Sequence, residues 1–375
     1  MNCPRPPVIG LISLVAALVT APAGQARVDG PAVSPAPQAT DAAWSPASLA
    51  PSRYWAATTF LPSTCEVLAY GGHSMDASGN VTVSRATLIY QPDLDRWLTY
   101  GAQKSGGPPA LAHAALTFDP SHSTALLFGG SAGSLSNGTY AFEPVTRKWT
   151  TLFAPSTCTP GKCPSARQLH AQAWSNEAKA VLVFGGQGSD WAATNDLWAL
   201  QGIAGRRGSL TWKWTLLQPS ADPDYGMPAA RSRHGMAEIP DGSDKGKMLI
   251  YGGWDAGGNT LSDTWLYDPK ANSYKKLPNA GSPTPRQGFA IGLAPSLGAI
   301  IVQGGQTNGS RDPQVFKQDT WAFDHNQLEW TPLLFNAPYG NRSYHDLASD
   351  TCTGVAVVWD KPADRSGAQP TWILK

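Results

Sequence analysis

The sequence predicts an all-β protein built from repeated units of four short strands. A short apolar run that ends in Gly-Gly occurs five times, as VLAYGG, ALLFGG, VLVFGG, MLIYGG and IIVQGG. The first glycine of each pair is residue 71, 129, 185, 252 and 304, so the steps between units are 58, 56, 67 and 52 residues. Repeats of this length, each with several strands, indicate a series of stacked sheets that bury their faces on one another.

The composition agrees with a turn-rich β fold. Only 15% of the residues are charged, whereas about a quarter is usual, and 38 glycines and 32 prolines are spread along the chain. The 15 tryptophans require buried slots that recur. A formal net charge of +1 provides no basic field, so we expect no nucleic-acid partner.

Each unit divides into four strands, a to d. Strand a opens in most units with Arg and has His three residues later, and strand b ends in the Gly pair. Strand c carries an aromatic residue, and a second aromatic follows seven residues later in strand d, as in Tyr90/Trp97, Phe142/Trp149, Tyr267/Tyr274 and Phe323/Trp330. In the third unit GIAGRRGSL lengthens the hairpin, and Trp212 or Trp214 takes this role. The seven-residue gap is typical of two antiparallel strands joined by a tight turn.

The two ends of the chain complete each other. Strand a begins six times, at residues 53, 110, 167, 231, 286 and 342, but the sixth unit ends at TWILK without a strand d. The segment around Trp44 matches a strand d that has no strands a to c before it. The simplest arrangement is circular, with the strand at Trp44 completing the last sheet.

This pattern resembles the kelch repeat of the β-propellers, including the central domain related to galactose oxidase. The resemblance covers residues 44–375 and implies a six-bladed kelch-type β-propeller with four antiparallel strands per blade. Packing the blades around an axis buries both faces of every sheet. The Gly pair allows a sharp turn or a close approach of the backbone to a neighbour.

The N-terminal residues predict secretion. Arg5 precedes an apolar run from Val8 to Val19, and small residues follow, so residues 1–26 read as a signal peptide cleaved after Ala23 or Ala26. An uncleaved anchor is the alternative. Residues 27–43 form a Pro/Ala-rich linker that we expect to be disordered, and no later segment is apolar enough to cross a membrane.

If the protein is secreted into an oxidising compartment, its cysteines are expected to form disulfides. Cys158 and Cys163 bracket the short turn TPGK and should pair locally, which leaves Cys65 and Cys352. In the kelch alignment these two lie before strand b of adjacent blades, where a bond would staple the ring at its seam. Four Asn-x-Ser/Thr sequons predict glycosylated surface loops, at Asn80, Asn137, Asn308 and Asn341.

Two groups of residues are candidates for chemistry in the channel. Four histidines are predicted at one position of strand a, lining the channel, where they would pack in the scaffold or hold a metal or anion: His113, His170, His234 and His345. Tyr344 and His345 resemble the Tyr-His pair that holds copper in galactose oxidase, but no cysteine is left for the cross-linked tyrosine of that site. We therefore assign no catalytic residue, cofactor or metal, with Tyr344 and His345 as the low-ranking candidates.

The long loops between strands b and c are the better candidates for binding. They vary in length and carry large aromatic and basic side chains, His73, Trp191, Trp254, Arg311 and Phe316. Variable loops on one face of a rigid ring suit ligand binding, although such residues also fold back on neighbouring blades. The sequence thus predicts a secreted, monomeric, non-catalytic module that binds a protein or carbohydrate ligand. The alternative is a cofactor- or metal-using enzyme, or an accessory protein of secondary metabolism, acting at the channel mouth.

Overall fold

The computed structural model describes residues 43–49, 51, 53–75, 78, 80–221, 226–279, 281–307, 316–334, 343–359 and 370–374. The predicted signal peptide, nearly all of the linker, and Arg311, Asn308, Asn341 and Arg342 lie outside these residues. Within the described part of the chain, no helix is long and apolar enough to cross a membrane.

The strands of the first half follow the predicted repeats closely. They are β1 (Trp44–Leu49), β2 (Ala57–Leu61), β3 (Glu66–Tyr70), β4 (His73–Met75), β5 (Val81–Val83), β6 (Thr87–Gln91), β7 (Arg96–Tyr100), β8 (Ala115–Asp119), β9 (Thr124–Phe128), β10 (Thr139–Glu143), β11 (Lys148–Phe153), β12 (Ala171–Ser175), β13 (Ala180–Gln187), β14 (Ala193–Ala204) and β15 (Leu210–Gln218).

The second half continues the series to the last described residue. Its strands are β16 (Arg231–Ser232), β17 (Gly235–Glu238), β18 (Met248–Asp255), β19 (Thr260–Asp268), β20 (Ser273–Lys276), β21 (Ala290–Ala294), β22 (Ala299–Gln303), β23 (Thr320–Asp324), β24 (Glu329–Leu334), β25 (Asp346–Asp350), β26 (Val355–Trp359) and β27 (Pro370–Leu374). Short 3-10 turns occupy Pro92–Leu94, Pro155–Thr157, Arg206–Gly208 and Pro295–Leu297.

These strands form the antiparallel sheets of an all-β propeller. With the strands of each sheet given from the channel outwards, the sheets are β2-β3-β6-β7, β8-β9-β10-β11, β12-β13-β14-β15, β16/β17-β18-β19-β20, β21-β22-β23-β24 and β25-β26-β27-β1. β4 and β5 form a separate hairpin. The innermost strands contact one another in a closed order, β2, β8, β12, β17, β21, β25 and again β2. The sheets are therefore arranged around a common channel.

The prediction of six uniform four-stranded blades is wrong, because among the described residues five sheets, not six, have four strands. In the remaining sheet the innermost strand is divided, and β16 and β17 both pair with β18. Elsewhere the contact that corresponds to β16 is a single bridge, as between Gln168 and Gln187. Here it extends to two pairs, Arg231 with Asp255 and Ser232 with Trp254.

The first strand lies where the circular arrangement places it. β1 pairs antiparallel with β27, Trp44 opposite Leu374, and β27 in turn pairs with β26. The indole Nε1 of Trp44 also donates to Thr320 Oγ1 of the preceding sheet at 3.2 Å. The two ends of the propeller sequence thus share one sheet.

The Gly pairs lie at contacts between neighbouring sheets. Gly130 N donates to the carbonyl of Arg167 in the next sheet at 2.8 Å, and Gly129 has φ +73°. A Cβ on Gly129 would lie 2.7 Å from both that carbonyl oxygen and the ring of His170. Only glycine permits this approach, which explains why the pair recurs with the period of the sheets.

Arginine at the start of strand a holds its own sheet together. Arg231 is fully buried, donates to Gly252 O at 3.0 Å and makes two hydrogen bonds to Asp263, 2.7 and 2.8 Å long. The same network recurs at Arg167 with Asp196 and at Arg286 with Asp319. Such bidentate pairs satisfy a guanidinium that burial would otherwise make very costly.

Tryptophans of the outer strands fasten each sheet to the one before it. In each case the indole N–H donates to a threonine of the preceding sheet, as for Trp97 with Thr371, Trp149 with Thr87, Trp214 with Thr139 and Trp330 with Thr264. Tyr274 takes the tryptophan's place in the fourth sheet, opposite Tyr267. The sequence predicted these outer aromatics but not their partners.

Both predicted cysteine pairs are placed for disulfides. The Cα atoms of Cys65 and Cys352 are 5.9 Å apart, across the seam between the first and last sheets, and those of Cys158 and Cys163 are also 5.9 Å apart. Both distances fall within the range that disulfides require.

Candidate functional site at the mouth of the channel

One residue of each sheet forms a belt around the mouth of the channel. The six residues share a left-handed backbone, with φ between +57° and +60°: Trp55, His113, Leu169, Arg233, Gly288 and Tyr344. Each precedes the innermost strand of its sheet by one or two residues. Since this conformation costs free energy for residues other than glycine, the belt must be held by its surroundings.

Backbone hydrogen bonds join these residues in order. The amide of His113 donates to the carbonyl of Trp55 at 3.0 Å, and Leu169, Arg233, Gly288 and Tyr344 each donate to the preceding belt residue at 3.1, 2.8, 3.0 and 2.5 Å. The belt thus fixes the directions of five side chains from five different repeats, since its sixth member, Gly288, has no side chain.

The belt corrects the predicted ring of equivalent histidines. His170 and His234 each follow a belt residue, whereas His113 is itself a belt residue and corresponds to Leu169. The residue that matches His170 in the second sheet is Ala114, whose Cβ would lie 2.8 Å from a Cβ on Gly130, as the Cβ of His170 would from Gly186. The sequence pattern placed His113 one position too late in the repeat, because this sheet has Leu111 where the others have the opening arginine.

Aromatic and basic side chains cover one side of the mouth. Trp55 lies against His113, with ring centroids 4.3 Å apart, and edge-on to Tyr344 at 5.4 Å. His73, from the loop after strand b, lies 5.1 Å from Trp55 and 5.4 Å from His113. His73, a predicted binding residue, therefore lies in a cluster with Trp55 and His113 that the sequence did not predict.

Arg233 is the main charged group of this cluster. Its guanidinium stacks on Trp254 at 4.2 Å, lies 5.8 Å from the ring of Tyr344 and donates to Gln287 Oε1 at 2.8 Å. No carboxylate of the described residues pairs with it. Burial lowers the pKa of Arg233, which reflects a cation held out of water without a counter-ion.

Burial also controls the other ionisable groups of the mouth. It lowers the pKa of His113 to about 3, helped by His73 and Arg233, and it lowers the pKa of His170 to about 3. It raises the pKa of Tyr344, against the effect of Arg233. The imidazoles of His113 and His170 are therefore neutral at physiological pH, and the guanidinium of Arg233 supplies positive charge.

The remaining predicted residues are distributed differently. Trp191 is 69% exposed and stands in its loop, where its amide bonds to Gly188 O. Phe316 makes a backbone bridge to Gln306, and Gln306 donates to the hydroxyl of Tyr344 at 3.4 Å. Of the sequons, Asn80 is exposed and Asn137 is half-buried.

Two cavities meet at the belt. A cavity of about 140 Å³ at the mouth is lined by Trp55, His113, Arg233 and Tyr344 among others, and a channel cavity of about 1070 Å³ lies beneath it. The residues that line both form a neck, Ala114, His170, His234, Phe289 and Asp346. His345 lines only the mouth cavity.

A metal site would need a denser set of ligands than these. In the described part of the chain, no group of three or more His, Cys, Asp or Glu side chains is placed to hold a metal ion. Tyr344 and His345 are adjacent in sequence, but Tyr344 faces Arg233 and Trp55. The charged group that Tyr344 faces is thus a cation, the guanidinium of Arg233.

The sequence does mark the positions of Arg233 and Tyr344, through variation at one place in the repeat. Both occupy the position two residues after the arginine, or its substitute, that opens strand a. That position varies among Trp, His, Leu, Arg, Gly and Tyr, whereas the residues around it repeat. Variation at one position of a regular repeat indicates a residue free from the demands of packing.

Comparison with known proteins agrees with the kelch repeats seen in the sequence. Residues 112–351 match the family described as the KLHDC2/KLHL20/DRC7 Kelch-repeats domain. The chain is 33% identical to bovine (Bos taurus) Kelch domain-containing protein 2 over 150 residues, which are 40% of this chain and 32% of the relative. It is 27% identical to Beta-scruin of Limulus polyphemus over 166 residues, 44% of this chain and 16% of the relative. The matched part thus covers less than a third of each relative's length.

Proposed function

Because the chain belongs to the KLHDC2/KLHL20/DRC7 Kelch-repeats domain family, we propose that it is a protein-interaction module that binds its ligand at the channel mouth. The observation that carries this proposal is Arg233. Its guanidinium is half-buried, stacked on Trp254 and without a carboxylate partner among the described residues. An acidic group of a protein ligand would supply the missing counter-ion in a partly desolvated setting, where such pairs contribute most.

The surroundings of Arg233 support a binding role over a purely structural one. A structural arginine of this chain, such as Arg231, is fully buried and bonded to an aspartate. Arg233 opens onto a cavity instead, which Trp55 and Tyr344 also line. Arginine and large aromatic side chains around a pocket are the residues that most often dominate protein interfaces.

We also propose that the sheets act as the blades of one rigid ring. The cyclic contact order of the innermost strands and the five successive belt hydrogen bonds support this arrangement. A rigid ring would hold the mouth side chains in place, so that little conformational entropy is lost when a ligand binds.

Face-selective cross-linking tests the protein-binding proposal. A photo-reactive amino acid at Trp191, on the mouth face, should cross-link a co-purifying protein, and the same group at Val145, in a turn on the opposite face, should not. Both positions are well exposed, at 69% and 75%, so accessibility is matched. Arg233→Gln should abolish the cross-link without changing the melting temperature. Equal cross-linking at both positions, or no effect of Arg233→Gln, would refute the proposal.

Glycan binding is the other outcome that the loop face permits. The exposed indole of Trp191 offers a flat surface on which a sugar ring could stack. A glycan ligand whose binding is lost in Trp191→Ala but retained in Arg233→Gln would favour a carbohydrate-binding role over a protein-binding one.

We propose that the protein is secreted. The apolar run behind Arg5 and the two cysteine pairs support this localisation, since disulfides persist in oxidising compartments. N-terminal sequencing of protein recovered from the culture medium should begin at Gly24 or Arg27. Retention of the whole chain inside the cell, with free thiols, would contradict it.

A further inference from the structure

Asp346 is a carboxylate at a position where every other sheet has a small residue. It begins β25 and pairs with Trp359. The residues in the same register of the other sheets are Ala57, Ala115, Ala171, Gly235 and Ala290. Since alanine or glycine satisfies the packing five times, the scaffold does not require a carboxylate at this point.

The surroundings of Asp346 leave its charge uncompensated. It accepts hydrogen bonds from Thr58 of the neighbouring sheet, and no cation of the described residues pairs with it. Burial raises its pKa to about 7, although the hydrogen bonds from Thr58 act in the opposite direction. A carboxylate in this state gains free energy from any cation that reaches it.

Asp346 and Arg233 line the same cavity of about 140 Å³ but do not form an ion pair with each other. The cavity thus presents one uncompensated cation and one uncompensated carboxylate, separated by more than the length of a salt bridge. The aromatic rings of Trp55 and Tyr344 also line it, and such rings attract ammonium groups. Ligand pockets for drug-sized molecules are roughly 300–1,000 Å³, so the ligand of this cavity must be smaller.

We propose that the mouth cavity binds a small zwitterion, whose anionic group pairs with Arg233 and whose cationic group pairs with Asp346. A ligand with a single charge would neutralise only one of the two groups and leave the other buried without an opposite charge. This small-molecule site goes beyond the protein-interaction role, and it is tested with the purified protein alone, so its outcome does not depend on a protein partner.

Isothermal titration with ω-amino acids of increasing length tests the proposal. The probes are glycine, β-alanine, 4-aminobutanoate and 5-aminopentanoate, and the single-charge controls are butanoate and butylamine. One amino acid whose length fits the gap should bind at least about tenfold more tightly than either control, a difference of about 1.4 kcal/mol. Failure of every amino acid to exceed both controls would overturn the proposal.

Two charge-removing variants separate the two contacts. Arg233→Gln should lower the affinity for the best amino acid to that of butylamine, and Asp346→Asn should lower it to that of butanoate. Arg207→Gln and Asp241→Asn are matched controls, because both side chains are exposed and lie away from this cavity. Equal losses in the control variants, or no loss in Asp346→Asn, would contradict the assignment.

Proton release gives a readout that a change in packing would not produce. An ammonium beside Asp346 stabilises the carboxylate, so binding at pH 7 should release protons, seen as different heats in buffers of different ionisation enthalpy. The other ionisable groups around the cavity are His113, His170, Arg233, His234, Tyr344 and His345. Asp346→Asn should abolish the release, and release that persists in this variant would assign it to another group and refute the role of Asp346.

Discussion

His170 and His234 show how a residue that suggests chemistry can serve packing. Both rings are buried, and each meets an aromatic ring of the preceding sheet edge-on, Phe128 at 5.2 Å and Phe184 at 5.3 Å. In the fifth sheet Phe289 takes the same place, with its ring 5.4 Å from Tyr251. An apolar ring therefore satisfies this position, which argues for a structural role of the two imidazoles.

Replacing both histidines by phenylalanine should make the protein less sensitive to acid. Burial lowers the pKa of His170 to about 3 and that of His234 well below its usual value, whereas both imidazoles titrate near 6.5 in the unfolded chain. The unfolded state thus binds more protons below pH 6.5, and stability falls as the pH falls. Below the unfolded pKa, the slope of stability against pH should decrease by about 1.4 kcal/mol per pH unit for each histidine removed, measured by urea unfolding between about pH 6 and 4.5. An unchanged slope would show that these residues are not buried and neutral.

Strands are held within each sheet by the buried arginines and between sheets by the outer tryptophans. Arg231 links strands a, b and c of its sheet through Gly252 O and Asp263. Burial, the largest single effect, would raise the pKa of Asp263, but the hydrogen bonds and charge of Arg231 together with the hydrogen bond from Trp265 hold the pKa below its usual value. The network is therefore an ionised pair whose two members depend on each other.

Asp263→Ala should destabilise the protein by about 3 kcal/mol or more, because it leaves a fully buried guanidinium without a counter-ion. It also removes the acceptor of the Trp265 indole N–H. Asp190→Ala, at an exposed loop carboxylate, is the matched control and should change stability by less than about 0.5 kcal/mol. Equal unfolding midpoints in urea for the two variants would mean that the arginine network contributes little.

For the whole molecule, the seam between the first and last sheets decides whether the ring is closed. β1 pairs with β27. Trp44 of this sheet donates to Thr320 of the preceding sheet, and Trp97 of the first sheet donates to Thr371 of this one. Deleting residues 43–52 should lower the melting temperature of the entire fold, because it exposes the apolar faces that the last sheet buries. Loss of signal only from the C-terminal strands in hydrogen exchange, with an unchanged melting temperature, would contradict cooperative closure.

The seam disulfide should add to this stability. Cys65 and Cys352 are separated by 287 residues, and the chain-entropy model gives up to about 5 kcal/mol for closing so long a loop. Cys65→Ser/Cys352→Ser should therefore unfold at a lower urea concentration than the wild type, and Cys158→Ser/Cys163→Ser, which opens a separation of only 5 residues, should change less. Peptide mapping without reduction that found all four thiols free would exclude this contribution.

The repeat, the strands and the position of the Gly pairs were predictable from the sequence alone. These features recur with the period of the sheets, since each sheet must bury the same faces and pass its backbone through the same close contact. The set of residues at the channel mouth depends on the tertiary structure. Arg233, Trp254, Tyr344, Trp55 and Asp346 meet at one mouth although they come from three repeats, and each departs from what the other repeats have at its position. A periodic pattern cannot reveal residues that break it, and only closure of the ring brings them together.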